Sequence, residues 1–88
     1  MSKYELWAEK IAQKLHKKGL LEVADGEPQF RIEEASTGSV YATYWFKSNR
    51  AFLLRLADHK MGCMGKCDFW AEKYKDGEAA VLEAAIAA

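Results

Sequence analysis

Apolar residues recur every three or four positions at the start of the chain. The positions concerned are Tyr4, Trp7, Ala8, Ile11, Ala12 and Leu15. This spacing places them on one face of a helix, which we expect to pack in the core. Ser2 and Glu5 fit a capping box, in which each side chain satisfies a backbone amide of the first turn. Because Gly19 can adopt the left-handed conformation that ends helices, we predict a helix over residues 2–19.

Apolar and polar side chains alternate after a turn composed of Asp-Gly-Glu-Pro at residues 25–28. The alternation over residues 29–35 is typical of a half-buried strand. Two strongly β-prone runs, residues 40–46 and 52–57, then flank a short polar break. We therefore predict three strands, of which the last two form a hairpin.

The length of the hairpin loop decides which side chains face each other. A two-residue turn would set Trp45 opposite Phe52, whereas a loop that also takes in Arg50 would set Phe46 there. We favour the longer loop because it combines the two most apolar rows on one face of the sheet. These rows are Val40, Ala42, Tyr44, Phe46, Phe52, Leu54 and Leu56.

The end of the chain is expected to be helical. Asp68 can cap a short helix that runs to Lys75, and the Asp76-Gly77 pair is expected to break it. Residues 78–88 are rich in alanine and predict a terminal helix. The predicted order is α-β-β-β-α-α, a single α+β domain over residues 1–88. It has a three-stranded antiparallel sheet with an N-terminal helix and C-terminal helices packed on one face.

Composition narrows the class of protein. Thirteen basic and thirteen acidic residues balance, so the basic excess of a dedicated duplex binder is absent. No apolar run approaches the roughly 18 residues that span a bilayer, and the N-terminus lacks the apolar centre of a secretory signal. We therefore expect a cytoplasmic protein that does not enter a membrane.

A second aromatic row is the most informative feature of the hairpin. Under the favoured register the outward face carries Arg31, Glu33, Tyr41, Thr43, Trp45, Leu53 and Arg55. Three interpretations compete: a protein partner or a homodimer covers this face, the C-terminal helices cover it, or its aromatic rings stack on splayed nucleic-acid bases. We favour a protein partner and take Arg31, Tyr41, Trp45 and Arg55 as its anchors.

His59, Cys63 and Cys67 have the spacing H-x3-C-x3-C, and imidazole with thiolates suits zinc. Structural zinc sites usually carry a close cysteine pair and a fourth ligand, which this stretch lacks. A Cys63–Cys67 disulfide is a further, less favoured alternative, and we expect free cysteines and no metal. A Cys-His nucleophile would need an orienting third group and an oxyanion site, and no such motif is present. We therefore expect a protein that is not an enzyme and needs no cofactor.

Two resemblances arise from these residues. The run Ser39-Val40-Tyr41, followed by Arg55-Leu56-Ala57-Asp58-His59, resembles a pattern in short uncharacterised phage and prophage proteins. This resemblance implies a small accessory protein of a mobile element. By analogy with anti-CRISPR and related anti-defence proteins, its partner would be a host defence protein whose surface it occludes.

The order of elements is similar to that of the double-stranded RNA-binding domain. The spacing of Pro28, Phe30, Ile32 and Glu34 fits the first strand of that domain, and the alanine-rich end fits its last helix. The Gly-Pro-x-His loop and the basic start of the last helix, which contact phosphate in that family, are missing here. The resemblance therefore implies a topology and not a function.

Overall fold

The computed structural model describes residues 2–60 and 66–88, and its fold is α+β. In chain order the elements are α1 (Lys3–Lys17), β1 (Val23–Ala24), β2 (Glu27–Pro28), β3 (Phe30–Glu34), β4 (Val40–Trp45), β5 (Ala51–Leu56), β6 (Phe69–Ala71) and α2 (Tyr74–Ala87). Strands β3, β4, β5 and β6 form one mixed sheet in that order, and β1 with β2 forms a separate two-stranded ribbon. The predicted α+β class is confirmed, but the predicted three-stranded sheet is too small by one strand and omits the ribbon.

Helix α1 is slightly shorter than the predicted range 2–19, and both of its predicted caps are present. Ser2 and Glu5 form the capping box: the Glu5 amide donates to Ser2 Oγ at 3.3 Å, and the Ser2 amide donates to Glu5 Oε1 at 3.3 Å. At the other end Gly19 has φ +71°, and the Leu20 amide donates to the Leu15 carbonyl at 2.9 Å. This is a Schellman motif, in which a left-handed residue lets the chain satisfy the last helical carbonyls.

The β4–β5 hairpin combines the predicted faces in a register that differs from both predicted ones. Tyr44 lies opposite Phe52, and the Phe46 amide donates to the Arg50 carbonyl at 2.8 Å. The loop therefore lies one residue earlier than favoured, and the pairing is shifted by two residues. Because side chains alternate with a period of two, this shift leaves the same rows on the same face. Asn49, at φ +69°, supplies the left-handed residue that such a loop needs.

The first half of the predicted turn at residues 25–28 is the tip of the ribbon, and its second half, Glu27–Pro28, is strand β2. Asp25 and Gly26 have φ values of +53° and +79°, and they join β1 to β2 with Ala24 opposite Glu27. Two consecutive left-handed residues are typical of the type I′ turn, whose twist suits antiparallel strands.

The C-terminal prediction needs two corrections. The predicted short helix from Asp68 to Lys75 is wrong, because Phe69–Ala71 forms β6, which pairs parallel to β5. The predicted break at Asp76-Gly77 is also wrong, since α2 runs from Tyr74 to Ala87 without interruption. Gly77 is buried against the sheet, where a Cβ would lie 3.4 Å from side-chain carbons of Leu54, Leu56 and Ala71. The glycine therefore allows a close helix-to-sheet contact instead of ending the helix.

Both helices pack on the same face of the sheet. The Tyr44 hydroxyl donates to the Ala8 carbonyl of α1 at 2.8 Å, and Gly77 of α2 lies against β5 and β6. Fully buried side chains between these layers include Ile11, Leu15, Leu21, Tyr44, Phe46, Leu54, Leu56 and Val81. In the part of the chain that the structure describes, no helix covers the opposite side of the sheet, which we call the open face.

Candidate functional site on the open face of the sheet

The open face is built from alternate residues of four neighbouring strands. Strand pairing sets Glu33 beside Tyr41, Tyr41 beside Arg55, and Arg55 beside Trp70. A second row places Arg31 beside Thr43 and Thr43 beside Leu53. Every residue that the sequence predicted for this face is therefore on it. Since neighbouring strands lie about 4.8 Å apart, each row crosses the sheet as one continuous line of side chains.

Apolar side chains at the centre of this face are only half-buried. They are Tyr41, Trp45, Leu53 and Trp70. The indole Nε1 of Trp70 donates to the Ala57 carbonyl at 3.2 Å, which holds the ring against the end of β5. A ring held in one orientation loses little entropy when a partner packs on it. The face therefore offers ordered aromatic surface of the kind that interface hot spots use.

Trp70 was missed by the sequence interpretation. Its stretch was assigned to a helix, so the ring was expected one turn from Tyr74 and not on the sheet. The only local signal for a strand is the short aromatic run Phe69-Trp70, which has high strand propensity but fits a helix equally well. Only the pairing with β5 places Trp70 beside Arg55.

Arg55 is a buried member of the predicted anchor set, with 5 % of its surface exposed. Its guanidinium donates to Ser39 Oγ at 3.1 Å and to the Lys60 carbonyl at 3.3 Å. It also lies 5.9 Å from the centroid of the Tyr41 ring, a cation–π distance. These contacts orient Tyr41 and tie the chain after β5 to the sheet. Arg55 therefore shapes this face by positioning its neighbours, and offers little surface of its own for contact with a partner.

Arg31 is exposed at the edge of the face. Its Nη1 lies 3.3 Å from Glu33 Oε1, and the two side chains are 65 % and 63 % exposed. The pair is thus solvated, and its charges cancel locally. Together with the burial of Arg55, this leaves the aromatic centre of the open face with little net positive charge.

A cleft of about 350 Å³ opens beside the face where β5 ends. Its lining is Tyr4, Thr37, Gly38, Ser39, Arg55, Ala57, Asp58 and His59. The Tyr4 hydroxyl donates to Asp58 Oδ1. Burial, followed by this bonded carboxylate, raises the pKa of Tyr4 to about 12. The two motifs that resemble phage proteins, Ser-x-Tyr and Arg-Leu-Ala-Asp-His, lie close together in the fold. Ser39, Arg55, Asp58 and His59 line the cleft, and Arg55 contacts Tyr41.

The zinc and thiol alternatives concern His59, Cys63 and Cys67, of which the structure describes His59 and Cys67. Within residues 2–60 and 66–88, no group of three or more His, Cys, Asp or Glu side chains could hold a metal ion. Cys67 is disulfide-bonded, so the expectation of a free thiol at this position is wrong. That expectation came from composition, which carries no information on the distance between sulfurs. A sulfur in a disulfide is not the thiolate that zinc binds. The zinc alternative at His59, Cys63 and Cys67 is not tested, because Cys63 lies outside the described residues.

Neither helix of the described chain has the length and apolarity needed to cross a bilayer. The chain matches no protein family, no curated protein and no solved structure.

Proposed function

We propose that this protein is a non-enzymatic binding module that holds a protein partner against its open face. Trp45, Tyr41 and Trp70 would be the apolar anchors, and Arg31 would contact the partner at the rim. Arg55 would act as a positioning residue that holds Tyr41. The observation that carries the proposal is an aromatic face that neither helix covers in the described chain, while the opposite face holds the core.

The charge of the open face favours a protein over a nucleic acid. A nucleic-acid site needs cations that reach the phosphates, but Arg55 is buried and Arg31 is paired with Glu33. Half-buried aromatic and aliphatic side chains without strong charge are instead typical of the centre of a protein interface. We therefore expect a partner that presents a mainly apolar patch. The resemblance to short phage and prophage proteins further suggests a host protein whose surface is occluded.

The test is a capture experiment with the purified protein immobilised and incubated with a bacterial lysate. A captured protein is then purified and its affinity measured directly. We expect Trp45→Ala to cost about 2 kcal/mol or more, a loss of roughly 30-fold or more in affinity, as for a hot-spot residue. Leu6→Ala is the matched control: Leu6 is half exposed on α1, in the helix layer on the other side of the sheet, so its loss should leave binding unchanged.

Two further measurements separate this proposal from its rivals. Circular dichroism and thermal unfolding of Trp45→Ala must show a folded domain, since an unfolded variant would mean that Trp45 is a core residue. Affinity for a single-stranded oligonucleotide is measured at rising salt. Tight binding that falls steeply with salt would favour the nucleic-acid alternative, whereas a mainly apolar protein interface should respond weakly.

A further inference from the structure

Strand β3 leaves one edge of the four-stranded sheet without a partner strand in the described chain. Its orientation follows from two bonds at its ends: the Trp45 amide donates to the Gln29 carbonyl at 3.2 Å, and the Ala35 amide donates to the Ser39 carbonyl at 2.8 Å. Backbone groups alternate in direction along a strand, so odd-numbered residues face β4. The amides and carbonyls of Phe30, Ile32 and Glu34 therefore point away from the sheet, where another strand can pair with them.

The side chains of this edge are complementary to a second copy of themselves. If two β3 strands pair antiparallel with Ile32 opposite Ile32 of the other copy, Phe30 lies opposite Glu34. The outward-pointing backbone groups then meet in hydrogen-bonded pairs. Arg31 of each copy falls opposite Glu33 of the other in a non-hydrogen-bonded pair, the position where cross-strand side chains approach most closely. Both side chains are exposed and need no rearrangement of the fold to make this contact.

Other registers are disfavoured by the same residues. A shift of two residues in one direction sets Arg31 opposite Arg31, and a shift in the other direction sets Glu33 opposite Glu33. Like charges directly opposite each other destabilise a sheet. A shift of one residue turns the backbone groups of the second copy away and forms no ladder. Of these registers, only the one with Ile32 opposite Ile32 both pairs the outward backbone groups and sets opposite charges against each other.

We propose that the protein forms a twofold symmetric dimer through the β3 edge, with Ile32 at the axis and two Arg31–Glu33 pairs beside it. Pairing extends the sheet from four strands to eight and further covers Phe30 and Ile32, which are only partly buried in one copy. It leaves both open faces free on the same side of the joined sheet. The anchors Tyr41, Trp45 and Trp70 stay uncovered in the dimer, which would present them in two copies, whereas Arg31 lies at the dimer interface.

Charge exchange tests the dimer. Size-exclusion chromatography with light scattering, up to millimolar protein, should give a dimer for the wild type. Arg31→Glu alone and Glu33→Arg alone should each raise the dissociation constant at least tenfold, because each creates two like-charge pairs. Mixing the two variants should restore a heterodimer, since every opposed pair then has opposite charges. The double variant R31E/E33R should restore a homodimer for the same reason.

Two controls identify the surface. Arg50→Glu makes the same charge change at an exposed position in the β4–β5 loop and should leave the dimer intact. Trp45→Ala should also leave it intact, and a monomeric Trp45→Ala would show self-association through the open face instead. A wild type that stays monomeric throughout would overturn the proposal. So would single variants that remain dimeric, or a mixture that fails to associate.

Discussion

Gly77 is a residue at which α2 comes close to β5 and β6, with a Cβ position 3.4 Å from three side-chain carbons. Asp-Gly is a strong turn signal, and it led to a predicted helix break. In the structure Gly77 lies inside α2 and is buried against Leu54, Leu56 and Ala71. A residue this small leaves room for the close contact with the sheet, and α2 continues through it despite the unfavourable helix propensity of glycine.

The size of the side chain at position 77 should therefore decide stability. A Cβ would meet three side-chain carbons at 3.4 Å, an ordinary contact distance. We expect Gly77→Ala to stabilise the protein by about 0.5–1 kcal/mol through helix propensity. Gly77→Leu should instead destabilise it by about 1–3 kcal/mol through overpacking. Denaturant unfolding measures both values, and a Gly77→Leu variant as stable as the wild type would contradict the close contact.

At the scale of elements, β6 is the largest departure from the prediction. Its three residues are too few for alternation to be recognised, and a strand this short is stable only when a neighbour supplies its hydrogen bonds. Two bonds to Leu53 set its start: the Leu53 amide donates to Asp68 Oδ2 at 2.7 Å, and the Asp68 amide donates to the Leu53 carbonyl at 2.8 Å. Asp68, predicted to cap a helix, thus joins β6 to β5.

Removal of the Asp68 carboxylate should loosen β6. Asp68→Ala deletes the acceptor for the Leu53 amide in a solvent-exposed bond, so we expect a loss of about 0.5–1.5 kcal/mol in the free energy of unfolding. Amide exchange at Leu53 should accelerate with it. Asp68→Asn keeps an acceptor oxygen and should recover part of the loss. Glu83→Ala removes an exposed acid of α2 and serves as the control for charge alone.

The faces of β4 and β5 follow from local alternation, whereas the register depends on the residue that can adopt a left-handed conformation. Asn49 takes that position, and the loop moves by one residue relative to the favoured one. The residues that β4 and β5 place on the open face were therefore predictable even though their pairing partners were not.

At the scale of the whole molecule, polar contacts join elements that are distant in sequence. The Tyr4 hydroxyl links α1 to Asp58 after β5, and Lys14 Nζ lies 3.0 Å from Glu78 Oε2 between the two helices. The Tyr74 hydroxyl, together with Lys14, lowers the pKa of Glu78, although the burial of Glu78 acts in the opposite direction. The contact between the helices is therefore expected to weaken only in acid, as pH falls below the ordinary carboxyl range.

The raised tyrosine pKa values predict a loss of stability in alkali. Burial, with the Asp58 bond second, raises the pKa of Tyr4 from 10.0 to about 12, and burial also raises that of Tyr44. The unfolded chain therefore releases these protons at lower pH than the folded chain. The stabilisation is complete below pH 10 and is lost as pH rises toward 12. Denaturant unfolding across this range should show the decline.

Tyr4→Phe provides the control for this alkaline effect. The variant lacks one of the shifted hydroxyls, so its stability should fall less steeply above pH 10, by the contribution of one proton. An equal slope in both proteins would mean that Tyr4 ionises at the same pH in the folded and unfolded chains.

Features that depend on near neighbours in the chain could be predicted from local sequence signals. Three features follow from the spacing of apolar residues and from the backbone preferences of single residues. They are helix α1 with both of its caps, the turn at Asp25-Gly26, and the division of β4 and β5 into a core row and an outer aromatic row. Those signals act over a few positions, and this is why they could be found without coordinates. Three of the four predicted anchors, Arg31, Tyr41 and Trp45, retain some exposure on the open face.

Features that depend on contacts between distant segments are visible only in the folded chain. Four such contacts have no signal in the local sequence. They are the pairing of β6 with β5, the burial of Gly77, the contacts of Arg55 with Ser39 and Lys60, and the hydrogen bond of Tyr4 to Asp58. In each case a contact across the fold outweighs the local preference: edge hydrogen bonds make a strand of Phe69–Ala71, and close packing keeps α2 continuous through a glycine. The outer row was predictable because it follows alternation along each strand. Its third aromatic residue, Trp70, was not predictable because it comes from another part of the chain.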